Sequence, residues 1–103
     1  MIKVSVMYPN SSDATFDMEY YCNNHVAMVE EVLGDALKAV AVDSGLAGGV
    51  PGQMAAFIVM GHLTFDSVES FQQSFAPHAE KIMADISNFT NIQPQIQVSE
   101  IKL

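Results

Sequence analysis

The order of the periodic stretches constrains this chain more than any other feature. Residues 2–8 alternate, Ile2, Val4, Val6 and Tyr8 against Lys3, Ser5 and Met7, which predicts a strand. Pro9 ends it, and residues 10–15 have loop chemistry. Thr15 or Asp17 can cap a helix that runs to about Leu33, where Gly34 fits the end. Residues 36–43 predict a second strand, with Val40 and Val42 on one side and Leu37, Ala39 and Ala41 on the other. Gly45, Gly48, Gly49, Pro51 and Gly52 make a hairpin loop, expected as a flexible lip over any pocket. Residues 55–65 predict the third and most apolar strand. It sets Phe57, Val59, Leu63 and Phe65 against Ile58, Met60 and His62.

Asp66 before Ser67, Val68 and Glu69 reads as a helix start, with Asp66 at the N-cap. Val68, Phe71, Phe75, Ala79, Ile82 and Ile86 share the stripe that follows, and Pro77 predicts a break near Ala76. Residues 95–103 predict a fourth strand, with Ile96 and Val98 opposite Ile101 and Leu103. The resulting β-α-β-β-α-β order is the split βαβ, or ferredoxin-like, arrangement of the α+β class. It predicts one domain over residues 1–103: a four-stranded antiparallel sheet with both helices on one face. Strands two, three and four carry apolar residues on both sides, so the open face requires a cover. The economical cover is the same face of a second copy, a homodimer through the open sheet face.

Charge removes several classes of function. Twelve acidic residues against four lysines leave a formal net charge of −8, and there is no arginine. Such a surface repels phosphate backbones and anionic lipid, so neither nucleic acid nor membrane is an expected partner. The single cysteine, Cys22, cannot form an internal disulfide, which fits a reducing compartment. With no signal-type run and no membrane-length apolar span, the expected location is cytoplasmic.

The first helix carries the residues best suited to chemistry. Met18, Tyr21, Cys22, His25, Val26, Val29, Val32 and Leu33 fall on one stripe at helical spacing, with Tyr20 on the opposite, wet face. His25 therefore projects from an apolar face, where an imidazole can serve as general acid or base near neutral pH or simply as a satisfied core residue. Tyr21 lies one turn earlier and can orient a substrate oxygen. Asp85, at the end of the second helical segment, can hold the His25 tautomer if the fold joins them. Tyr8, Met18, Met60, His62 and His78 are the candidate substrate-binding residues around them. Histidines at 25, 62 and 78 lack metal-ligand spacing, and the glycine run at 45–49 lacks dinucleotide spacing, so no metal or other cofactor is expected.

The run Phe16-Asp17-Met18-Glu19-Tyr20-Tyr21 followed by His25 resembles the first helix of EthD domains, of the dimeric α+β barrel superfamily. A longer likeness runs from Gly61 to Phe71 and continues through Ala76-Pro77-His78, Ala84-Asp85-Ile86 and Asn88-Phe89-Thr90-Asn91 to Gln93-Pro94. The resemblance implies a dimer whose two sheets close a barrel, and a pocket in each subunit between sheet and helices. The family takes its name from ethyl tert-butyl ether degradation, where such a protein accompanies a cytochrome P450, so an oxygenase system is an implied partner. Relatives in the superfamily act on small, apolar, often aromatic or polyketide-derived molecules as isomerases, cyclases, dehydratases or cofactor-free monooxygenases. The expected function is binding of a small apolar molecule, with His25 moving a proton in an isomerisation, dehydration or cyclisation, or with the protein as an accessory to oxidative degradation. The competing expectation is a non-catalytic carrier that shields a hydrophobic intermediate for an oxygenase.

Overall fold

The fold, a computed structural model, describes residues 1–103. Strands β1 (Ile2–Pro9), β2 (Ala39–Ser44), β3 (Phe57–Phe65) and β4 (Gln95–Glu100) form one antiparallel sheet in the order β2-β3-β1-β4. The first helix, α1 (residues 18–33), is α-helical over Met18–Tyr20, widens into a π-helix over Tyr21–Val26 and returns to α over Ala27–Leu33. Asp17 caps it by accepting from the Tyr20 amide, and Gly34 follows at φ +55°. The second helix, α2 (residues 68–84), is split by a 3-10 turn at Ala76–His78, where Pro77 removes a helical donor.

Several boundaries differ from the sequence reading: β2 begins at Ala39, after a 3-10 turn at Gly34–Ala36, and β3 begins at Phe57. The N-cap of α2 is Ser67, whose hydroxyl accepts from the Ser70 amide, and Asp66 stands one residue outside. β4 ends at Glu100, before Ile101 and Leu103.

Register assigns the faces. Val42, Gly61, Val6 and Ile96 form one row across all four strands, and Val40, Leu63, Val4 and Val98 form the next. Both rows face the helices, which leave their β4 end, Ile96 and Val98, exposed. The open face is less apolar than expected. Met7, Met60, Ala39 and Ala41 lie there, but so do Lys3, Ser5, Asp43, His62 and Thr64. β4 contributes Gln95, Gln97 and Ser99 to it, because the expected apolar pair lies beyond the strand.

Under the helices the buried residues gather at two ends. One cluster holds Ile2, Val4, Val29, Leu33, Phe65 and Ile82. The other is aromatic: Tyr8, Tyr21 and Phe89 around Val59. Phe89 stands in the middle of the second, with ring centroids 5.0 Å from Tyr21, 5.3 Å from Phe16 and 6.0 Å from Tyr8. The segment that carries Phe89 is tied to the loop before α1. Asp17 N donates to Phe89 O (2.8 Å), Thr90 Oγ1 to Thr15 O (2.6 Å) and Asn91 Nδ2 to Asp13 O (2.9 Å). That clasp brings the end of α2 against the start of α1.

Candidate functional site

Between the two clusters the helix-facing side of the sheet leaves a cavity of about 290 Å³. Its floor is the row of Val42, Gly61, Val6 and Ile96, and its walls come from Tyr21 and His25 on α1 and Phe71, Phe75 and Ile82 on α2. The space exists partly because Gly61 has no side chain. A β-carbon there would collide with the Tyr21 hydroxyl.

His25 is 6% exposed and forms part of the wall. Its Nδ1 lies 2.9 Å from Asp85 Oδ2. The other carboxylate oxygen accepts from the Tyr20 hydroxyl (2.7 Å) and from Asn88 Nδ2 (2.8 Å). With Asp85 accepting, the neutral imidazole carries its proton on Nδ1 and leaves Nε2 as a free lone pair. No buried side-chain nitrogen or oxygen is left without a partner, so the unbonded Nε2 lies on an accessible edge of a ring that lines the cavity. Asp85, Tyr20 and Asn88 border a shallow groove on the outer side of this pair. The ring is held on both flanks, nearly parallel to Tyr21 (centroids 5.6 Å, 16°) and tilted against Phe89 (4.7 Å, 54°).

Charge at the pair follows from these bonds. Burial works to raise the Asp85 carboxyl, but the donors from Asn88, Tyr20 and His25 outweigh it and hold it below the ordinary aspartate value. The same bond to Asp85 raises the Tyr20 phenol. Burial pushes the Tyr21 phenol up to about 12, with Cys22 adding to the rise and the adjoining Tyr8 hydroxyl pulling it back. Burial, then Tyr21, lift Tyr8 well above the ordinary tyrosine range. Both phenols that reach the cavity are thus protonated donors at neutral pH.

The carboxylate is a stabilising element in its own right. Asp85→Ala is expected to cost about 1–3 kcal/mol at neutral pH, because three donors lose a charged acceptor that is partly screened by solvent. The sign with pH is fixed by the lowered value. The contribution is complete above the unfolded aspartate value and disappears as pH falls through the lower folded one. Denaturant midpoints of wild type and Asp85→Ala should therefore converge only in strong acid; a gap that is constant down to that range contradicts the assignment.

Of the candidate residues, the structure brings His25, Tyr21, Asp85 and Tyr8 together. Four others stand apart. Met18 packs on the outer side of the aromatic cluster, against Cys22 Sγ (3.7 Å), and does not line the cavity. Met60 sits on the open face, paired with Met7 and Asp43. His62 is also on that face. Its Nδ1 lies 2.9 Å from Ser5 Oγ and its Nε2 3.4 Å from Asp43 Oδ2, so only its main chain can border the cavity. His78 lies in the 3-10 turn, outside the lining. The glycine-rich loop contributes no lining residue either.

Tyr20, Asn88 and Phe89 are the site residues that sequence reasoning missed. Tyr20 lies on the outer side of α1, as its place in the helical period predicts, but the period does not foretell that its hydroxyl bonds to Asp85 there. Asn88 had one signal, its i+3 spacing from Asp85. No group of three or more His, Cys, Asp or Glu side chains converges anywhere.

Fold and site together define an α+β protein of ferredoxin-like topology with an apolar cavity and one histidine–aspartate pair in its wall. The EthD domain pattern matches residues 9–93, and the chain belongs to the EthD family. An EthD-like protein from Ralstonia eutropha JMP134 is similar at 42% identity and a TM-score of 0.94, over 99% of this chain and 92% of that one. An ethyl tert-butyl ether degradation (EthD) family protein from Bacillus halodurans C-125 shares the fold at 21% identity and a TM-score of 0.74, over 98% of each chain. So does a dimeric protein of unknown function with a ferredoxin-like fold from Bacteroides fragilis NCTC 9343, at 11% identity and a TM-score of 0.54, over 97% of this chain and 95% of that one. A search of curated proteins finds no match. No helix is long and apolar enough to cross a membrane.

Proposed function

We propose that this protein binds a small apolar metabolite between sheet and helices and moves one of its protons with His25. The observation that carries the reading is the free Nε2 edge of a buried, Asp85-bonded imidazole in the wall of an otherwise apolar cavity. Asp85 fixes the tautomer and stabilises the imidazolium that forms when Nε2 accepts a proton. Tyr20 and Asn88 hold the carboxylate in place. The apolar lining lowers the local dielectric, which strengthens each of these interactions relative to water. The chemistry is general acid–base catalysis of the kind used in isomerisation, dehydration or cyclisation.

The same reading includes a homodimer through the open sheet face. The half-buried Met7 and Met60, with Ala41 beside them, support it, and so does the dimeric state named for the Bacteroides fragilis protein of like fold.

Ligand binding is testable before any metabolite is known. A cavity of about 150 Å³ accommodates benzene, so one nearly twice that size should take a two-ring hydrocarbon. Titrating the labelled protein with naphthalene should shift the resonances of His25, Tyr21 and Gly61 in a saturable way. Resonances that do not move, or that move only on the open sheet face, overturn the reading.

A further inference from the structure

The chemistry of the cavity wall narrows what it can hold, an inference that rests on the ligand-binding reading above. Sixteen of the twenty lining residues are hydrophobic, and none is a lysine or a carboxylic acid. His62 turns its ring to the other face of the sheet. The side-chain polar groups left to a ligand are therefore His25 Nε2 and the adjoining hydroxyls of Tyr21 and Tyr8.

The position of the Tyr21 hydroxyl is set by Gly61. With no β-carbon at that point of β3, the phenol reaches down to the floor beside Val6 and Val42. Its ring runs alongside that of His25, so a donor oxygen and a proton-accepting nitrogen stand on the same wall. Tyr8 stands behind it, and their hydroxyls adjoin in the sense that raises Tyr8 and lowers Tyr21, with Tyr8 the donor and the Tyr21 proton left for a ligand.

We propose that the cavity selects a neutral ring compound bearing one carbonyl or hydroxyl oxygen, and that Tyr21, seated on Gly61 and backed by Tyr8, is the specificity-determining donor to that oxygen. A carboxylate or phosphate would find no lysine or arginine in the wall, and the one group there that can turn cationic, His25, already has Asp85 as its charge partner, in a protein of net charge −8. A plain hydrocarbon fits but leaves the Tyr21 donor unpaired. Both phenols are protonated at neutral pH, as any tyrosine is, and burial raises them further.

Three probes of one size separate the possibilities: naphthalene, 2-acetonaphthone and 2-naphthoate. In wild type the hydrocarbon and the ketone bind and the carboxylate does not. Tyr21→Phe weakens the ketone about tenfold and leaves naphthalene within about twofold, the size of one buried hydrogen bond. Gly61→Ala, which displaces the same hydroxyl without deleting it, produces the same selective loss. The inference is overturned if Tyr21→Phe affects both neutral probes alike or neither, or if 2-naphthoate binds as well as the ketone. Failure of every probe to bind overturns the ligand-binding reading, and this inference with it.

Discussion

Phe89→Ala should remove about 3–5 kcal/mol of stability and lower the thermal midpoint by on the order of 20 °C. Phe89 is 3% exposed, and its ring meets Tyr8, Phe16, Tyr21 and His25 at centroid distances of 4.7–6.0 Å. Truncation leaves a void between four rigid rings, which cannot collapse without moving β1 or α1. A domain of this size has only about 5–15 kcal/mol to lose, so this one substitution brings it near unfolding. Val50→Ala, in the exposed loop, is the control and should change stability by less than about 0.5 kcal/mol. Thermal unfolding followed by circular dichroism decides it. A loss below about 1 kcal/mol at Phe89 would mean that the aromatic cluster does not hold the site together.

The second large effect is catalytic. His25→Gln preserves most of the side-chain volume and a donor to Asp85 but has no proton-accepting nitrogen. Turnover of the natural substrate should fall by about 10²–10⁴, the usual contribution of a positioned acid–base group. Affinity for naphthalene should stay within about twofold, since the hydrocarbon makes no hydrogen bond. Asp85→Asn should reduce turnover as well, because an amide donor at Nδ1 forces the proton onto Nε2 and occupies the lone pair that does the work. A His25→Gln protein with unchanged turnover would show that His25 does not carry the proton.

The architecture was legible because period-two and helical stretches follow one another in an order that few folds accept. Val4, Val6, Val40, Val42 and Leu63 all lie on the side their alternation assigns. The open face was misjudged at β4, where alternation cannot say that a strand stops at Glu100. His25 and Tyr21 were readable as neighbours because they sit four apart on one helix. Their partner Asp85 is sixty residues from His25, and its arrival depends on the clasp of Thr90 and Asn91 on residues 13–15, which leaves no periodic trace. Tyr20 was hidden in the same way: it ends the α-helical turn before the π-helix, and no period along α1 foretells that its hydroxyl meets Asp85, sixty-five residues on.

The most direct test concerns one ring. Nitrogen-15 spectra of the protein labelled in histidine report which nitrogen of each neutral imidazole carries the proton. The geometry requires that His25 be protonated on Nδ1, with a bare Nε2 whose signal moves when naphthalene is added. A proton found on Nε2, or a His25 signal indifferent to the probe, would contradict the account.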